Sequence, residues 1–399
     1  MATTVASPFS DRVQRIESSP TLLMTAEAAK MRAQGIHLTD LGAGEPFFNT
    51  PDHIKRAGIE AIEKNFTRYT GAAGIPDLRR AIAERHRADW QSDYSPEETI
   101  FTPGGKYGLF LALQTLVQKG DEVVVAVPYW VSFPDMVRYA GGKCVFVETE
   151  EAEGFQLHAA HVIDAITPRT RVIILNSPNN PTGAVIAPRE YEEIVMAAHK
   201  RGIFVINDEC YVHLNYAPAE QRISAGRFKA AKDHMVLVGS LSKAYCMTGW
   251  RAGFALGPKP VIEQMVKLQS QSTSSICAIT QKAAVAALTG PQEFIAEMRD
   301  TYRQLRDECV AGLNALPHVH CAMPGGAFYA FPNVSHYLGK NGIRSNTDIV
   351  QRLLREAHVV TNAGDTFGSR EHIRLSYAVD QKTLQEALKR MRAWFEQQL

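Results

Sequence analysis

Ser240-Leu-Ser-Lys-Ala-Tyr-Cys-Met-Thr-Gly-Trp-Arg-Ala-Gly253 follows a short apolar run, Met235-Val-Leu-Val-Gly239, that reads as a buried strand. The strand ends on a hydroxyl, a lysine stands three residues later and an arginine eight residues beyond that. That order suits a ligand carrying both an aldehyde and a phosphate. A lysine in a low-dielectric pocket gives up its proton readily and can form a Schiff base. An arginine clamps a phosphate with two parallel N–H donors, which a lysine cannot match.

The same arrangement recurs upstream. Strands are expected at Thr99–Thr102, Glu122–Val127, Cys144–Val147, Arg171–Leu175, Gly202–Ile206, Met235–Val238 and Ala252–Leu256, alternating with helical periods from about residue 75 to 260. Most lack strict apolar/polar alternation, so they are expected to be covered on both faces, as in a mostly parallel sheet of an α/β fold. Chemistry-bearing residues follow the strands: Pro103-Gly104-Gly105-Lys106, Pro128-Tyr129-Trp130, Asn176 to Gly183, and Asn207-Asp208-Glu209-Cys210-Tyr211. Open α/β sheets bind ligands at the carboxyl ends of their strands.

Each motif also has a plainer reading. Gly104-Gly105 is either a tight turn or a place where backbone N–H groups at a helix start meet an anion; the stretch is neither a P-loop nor G-x-G-x-x-G. Asp208 is either a helix cap or a buried carboxylate, which needs a partner to stay charged. Lys243 read alone is a solvated lysine, and Arg374 a surface strand residue.

The bulk properties narrow the classes. With 399 residues the chain exceeds one ordinary core, so two domains are expected. Phe294, Met298, Tyr302, Leu305, Cys309 and Leu313 form one stripe on a long helix over Pro291–Leu316, with Pro291 expected in its first turn. This helix is taken as the bridge between a large domain at 45–290 and a small α+β domain built from 1–44 and 291–399. Lysine and arginine total 43 against 42 acidic residues, a net charge of +1, which offers no field for nucleic acid or an anionic membrane. The six cysteines contain no C-x-x-C pair and read as free buried thiols of a reducing compartment. His158/His161 and His318/His320 lack a second half at zinc-site spacing, so no metal is expected. The first residues do not read as a secretory leader, and no apolar run nears the ~18 residues of a membrane span. A cytoplasmic location is expected.

Taken together and in order, Ser240-Leu-Ser-Lys243 with Gly249-Trp-Arg251, Asn180-Pro-Thr-Gly183, Asp208-x-x-Tyr211 and Arg374-Leu-Ser-Tyr-Ala378 resemble the class I aminotransferases of pyridoxal-phosphate fold type I. Pro128-Tyr-Trp-Val-Ser132, Gly104-Gly-Lys106 and Phe66-Thr-Arg-Tyr-Thr70 look most like the bacterial aspartate aminotransferase subgroup. The resemblance spans nearly the whole chain. It implies pyridoxal 5'-phosphate as cofactor, covalently held by Lys243, with Asp208 on the ring nitrogen, Tyr211 and Asn180 on the ring hydroxyl and Trp130 stacked on the ring. Ser240, Arg251, the Gly105 and Lys106 amides, and Tyr69 of a second subunit would hold the phosphate, which makes a homodimer the expected assembly. Arg374, with Gly44, Trp130 and Asn180, would bind the substrate α-carboxylate. Lys106 would favour a distal carboxylate, hence ping-pong transamination of aspartate with 2-oxoglutarate.

Two departures point the other way. The entry loop reads Gly44-Glu-Pro-Phe-Phe48, where the subgroup usually has aspartate in fourth place, and Glu17 stands where relatives often carry a basic residue. Aromatic or neutral amino donors therefore stay open, and so does a C–S β-lyase, which the Asp208, Tyr211, Asn180 and Lys243 set does not exclude. A PLP-sensing regulator would need a DNA-binding module, and the chain carries no basic one.

Overall fold

A computed structural model describes residues 8–17 and 20–399. Twelve strands occur among the described residues: β1 (Thr39–Asp40), β2 (Thr99–Pro103), β3 (Glu122–Val127), β4 (Lys143–Glu148), β5 (Thr170–Asn176), β6 (Phe204–Asp208), β7 (Met235–Ser240), β8 (Ala252–Leu256), β9 (Tyr329–Ala330), β10 (Val359–Val360), β11 (Asn362–Ala363) and β12 (Ile373–Ser376). β2 to β8 form one seven-stranded sheet in the order β2-β8-β7-β6-β5-β3-β4. All its pairings are parallel except those of β8, which runs against both β2 and β7.

Each expected strand of this sheet forms, within two residues of its expected ends. The reason lies in the side chains. Successive strand residues point to opposite faces, and here both faces are apolar. Val124, Ile173, Leu175, Val205 and Leu237 pack into one core. Their neighbours Val123, Val172, Ile174, Ile206 and Val236 pack into the other. Each such side chain contributes about 1.5–3 kcal/mol when fully buried. β4, at the sheet edge, is the exception: Phe146 is 45% exposed and stacks on Tyr129, with ring centroids 5.3 Å apart.

A second core gathers Leu41 from the N-terminal segment with residues of the C-terminal third. β1 pairs in parallel with β10, and β11-β12-β9 form an antiparallel sheet. The long helix runs Glu293–Asn314 and buries Met298, Tyr302, Leu305, Cys309 and Leu313. Pro291 lies before its N-cap, Gln292, rather than in the first turn. Proline fits there because it has no N–H to leave unpaired. Phe294 turns to the large sheet's core instead, so the helix touches both cores.

Glu151, after β4, fastens the two regions. Its carboxylate accepts from His320 Nδ1 at 2.7 Å, Asn333 Nδ2 at 2.8 Å and His372 Nε2 at 3.2 Å. The six cysteines are free, but only Cys246, Cys309 and Cys321 are buried; Cys144 and Cys210 are part-buried and Cys277 is exposed, which corrects the expectation that all are buried. Among the described residues no cluster of three or more His, Cys, Asp or Glu could hold a metal ion. No helix among them is long and apolar enough to cross a membrane.

Candidate active site

The sheet's direction assembles the site. β2, β3, β5, β6 and β7 are parallel, so their carboxyl ends share one edge. β8 runs the other way, which brings its beginning, and Arg251 just before it, to that same edge. Ser240 pairs with Gly253, and Pro103 with Ala252. A side chain at Gly253 could not be accommodated, since a Cβ there would lie 2.3 Å from the Gly104 and Gly105 backbone. Gly104 itself has φ +84°, left-handed backbone that favours glycine. The helix Gly105–Leu116 starts at this point, and its first N–H groups have no partner within the helix.

The Arg251 guanidinium is fixed by its own neighbours, with Nη1 donating to Thr248 O at 2.9 Å and Nη2 to Pro103 O at 3.3 Å. Cys246 and Arg251 both hold positive φ, 52° and 54°. Such backbone in non-glycine residues costs about 1–3 kcal/mol each and persists where surrounding structure over-determines it. Ser240 caps the short helix carrying Lys243, its Oγ accepting from Ser242 N at 3.1 Å. Lys243 Nζ donates to the carbonyl of Gly44.

Asp208 closes β6 and is buried. Burial pushes its carboxyl up to about 7; Glu209 adds to the rise, while the Cys210 N–H and Lys243 oppose it. Its Oδ1 also accepts from Cys210 N at 3.1 Å, so the local cap and the buried carboxylate coexist. Tyr211 is buried too, and burial first, then Tyr329, push its phenol well above the ordinary value. The two phenolic oxygens lie 2.6 Å apart.

Arg374 reaches in from β12. Nη1 donates to Asn180 Oδ1 at 3.0 Å and Nη2 to Gly42 O at 3.0 Å. Nε is buried with no hydrogen-bond partner in the protein. Lys106 Nζ sits 4.9 Å from the centre of the Trp130 ring, and burial, then Arg251, push its ammonium below the ordinary value.

One cavity of about 360 Å³ collects these groups: Gly44, Gly105, Lys106, Trp130, Asn180, Asp208, Tyr211, Ser240, Lys243, Arg251 and Arg374 all line it. Tyr69 does not; it is 92% exposed on this chain. Phe47 packs on Phe48 and Tyr302 outside the cavity, and Glu17 is exposed. Sequence reasoning missed Tyr329, Cys210 and the pair Glu45–Thr248, joined at 2.7 Å. Cys210 had a readable signal, standing between Asp208 and Tyr211; Tyr329 had none nearby in the chain.

The chain matches the family model for aminotransferase class I and II over residues 36–391. An aspartate/prephenate aminotransferase of Thermus thermophilus is 43% identical over 385 residues, 96% of this chain and 97% of the relative. An aspartate aminotransferase of a Bacillus species is 38% identical over 383 residues, 96% of this chain and 98% of its own. Among solved structures, Thermus thermophilus aspartate aminotransferase with maleate superposes with a TM-score of 0.91 at 42% identity, covering 97% of this chain and 99% of that one. The Rhizobium meliloti aspartate aminotransferase gives 0.93 at 37% identity, with 98% and 99% covered.

Proposed function

Because the chain belongs to the class I and II aminotransferases, we propose that it is a pyridoxal-phosphate enzyme that transaminates L-aspartate with 2-oxoglutarate. The observation that carries this reading is the convergence of Lys243, Asp208 and Arg374, from three separate stretches of chain, on one cavity.

The residues present fit the cofactor. A glycine turn with no room for a side chain at Gly253, the fixed Arg251 guanidinium and a helix start make an anion site of backbone and arginine donors that would suit its phosphate. Ser240, Arg251 and the Gly105 and Lys106 amides would hold it, with Tyr69 of a second copy completing the set. Asp208 would face the ring nitrogen, Trp130 the ring, and Tyr211 with Asn180 the ring hydroxyl. When bound, pyridoxal phosphate supplies an aldehyde for the amino group and a ring that takes up the electrons left at the substrate's α-carbon.

The chain's own residues do the rest. Arg374 and Asn180 orient the substrate through its α-carboxylate, using the N–H donors on Nη1 and Nη2 that Asn180 and Gly42 leave over. Lys243 Nζ removes the proton from the α-carbon and holds it, a proton transfer worth about 10²–10⁴-fold in rate. Asp208, as a carboxylate, keeps a proton on the group opposite it, a charge-assisted hydrogen bond of about 1.5–3 kcal/mol. Lys106 offers a cation to a distal carboxylate, which favours acidic substrates. The exposed positions of Glu17 and Phe47 support this preference, since neither lines the cavity on this chain.

The two-unit division, 45–290 against 1–44 with 291–399, a homodimer and a cytoplasmic setting belong to the same reading. The exposed Tyr69 supports the dimer, which sedimentation at twice the 44.1 kDa chain mass would test.

The test of the activity is initial velocity against aspartate at several 2-oxoglutarate concentrations. Parallel double-reciprocal lines are expected. Turnover without any keto acid would mark a lyase instead. Relatives from Thermus and Cereibacter named aspartate/prephenate aminotransferase favour one second reading, in which prephenate also accepts the amino group. Oxaloacetate release from aspartate driven by prephenate would establish it.

A further inference from the structure

Tyr329 lies in β9 and is 1% exposed, yet it lines the cavity. Three contacts define its place. The hydroxyl oxygen is 2.6 Å from that of Tyr211. The ring lies beneath the Arg374 guanidinium, with Cζ 4.5 Å from the ring centre. The oxygen also backs onto the entry loop, where a Cβ at Gly44 would come within 2.8 Å of it. That same Gly44 offers its carbonyl to Lys243. Tyr329 is held to this position by pairing: Ser376↔Tyr329 and Leu375↔Ala330 fix β9 against the strand that bears Arg374.

Two phenols at this distance own two O–H protons and use one between them. If Tyr211 donates to Tyr329, no proton remains at Tyr211 to donate to a ligand. If Tyr329 donates, the Tyr211 proton is free to point into the cavity, and the Tyr211 oxygen becomes a stronger donor because its own lone pair is engaged. A cation beside a phenol makes it the better donor, and Arg374 Cζ at 4.5 Å from the Tyr329 ring centre is nearer than Lys243 Nζ at 6.0 Å from that of Tyr211, which favours the second arrangement. The other titratable or charged groups around the pair are Lys243, Cys210 and Tyr302.

We infer that Tyr329 is a positioning residue that directs the Tyr211 hydroxyl at the cofactor and ties it to the arginine that takes the substrate's carboxylate. The inference rests on the aminotransferase reading. It makes Tyr329 the contact through which the substrate half of the cavity touches the cofactor half.

The test is a spectrophotometric pH titration of the bound cofactor's visible band in the loaded wild type, Tyr329→Phe, Tyr211→Phe and the double variant. A donor on the ring hydroxyl spreads its negative charge and weakens its hold on a neighbouring proton, so weakening that donor raises the midpoint. Tyr329→Phe is expected to raise it by about half to one pH unit. Tyr211→Phe should raise it more, and the double variant should match Tyr211→Phe, because Tyr329 acts through Tyr211. The ring shape is kept, so the unloaded Tyr329→Phe protein should melt close to wild type. An unchanged midpoint in Tyr329→Phe, or a full extra shift in the double variant, overturns the inference while leaving the wider reading intact. A wild type with no bound cofactor, or a Tyr211→Phe protein with an unmoved midpoint, brings down the reading of the site and the inference with it.

Discussion

Arg374 Nη1 donates to Asn180 Oδ1 at 3.0 Å, joining the three-stranded sheet to the loop that follows β5. With Nη2 on Gly42 O, the guanidinium is oriented before any substrate arrives, and one N–H on each Nη is left over for a carboxylate. Arg374→Lys keeps the charge but loses this fixed fork. It is expected to lower kcat/KM for aspartate by two to three orders of magnitude, about 3–4 kcal/mol, with cofactor affinity nearly unchanged. Steady-state kinetics beside a cofactor titration would check it. A loss below tenfold would remove Arg374 from carboxylate binding.

Asp208 is a stability liability in the unloaded protein. Its carboxyl is pushed up to about 7 in the fold, against about 3.9 in an unfolded chain. Over that interval the folded chain holds a proton the unfolded chain has lost, so stability falls as pH rises from ~4 through 7. Asp208→Asn removes the penalty. The unloaded variant should melt higher than wild type, with the gap widening from pH 5 to pH 8. Once cofactor is added the order should reverse, with affinity weaker by about ten- to a hundredfold for the lost charged hydrogen bond. Melting curves at both pH values, with and without cofactor, decide the matter. A lower unloaded melting point at pH 8 would contradict the account.

Glu151 carries the opposite sign. Burial would raise its carboxyl, but hydrogen bonds from His372, His320 and Asn333 outweigh it and hold it down at about 2. A depressed carboxyl adds stability above its unfolded value, ~4.3, and that stability is lost as pH falls toward 2. Glu151→Gln is expected to cost about 1–3 kcal/mol at pH 7, a few degrees of melting temperature, and to flatten the loss of stability below pH 4.5. Equal melting of variant and wild type at pH 7 would rule out this contact as a tie between the two regions.

These sites differ in how far the sequence announces them. The seven strands are legible because a parallel sheet covered on both faces concentrates β-branched residues into short continuous runs. The cavity is legible for the same reason, since Asp208 and Ser240 close their strands and the Gly104-Gly105 turn and Lys243 come within three residues of a strand end. Tyr329 and Glu151 are not. Tyr329 sits in a two-residue strand with no periodicity, and its meaning comes from Tyr211, 118 positions away. Glu151 stands in the acidic run Glu148-Thr-Glu-Glu-Ala-Glu153, where nothing local separates it from its neighbours. Its three partners lie 169 to 221 residues distant. Pairings of that range are made by packing, and local pattern does not encode them. The helix boundary at Pro291 fails for a smaller reason, because proline suits both the first turn and the position just outside it.

If Lys243, Asp208 and Arg374 form a transaminating site for an acidic substrate, aspartate alone must convert the bound cofactor. The most direct test mixes the purified, cofactor-loaded protein with excess aspartate, without a keto acid, and follows the visible absorbance. Rapid conversion of the cofactor to its amine form is expected, with one oxaloacetate released per site. Conversion by phenylalanine or alanine but not by aspartate would contradict the assignment of Lys106 and the acidic preference. No conversion by any amino acid would contradict the site itself.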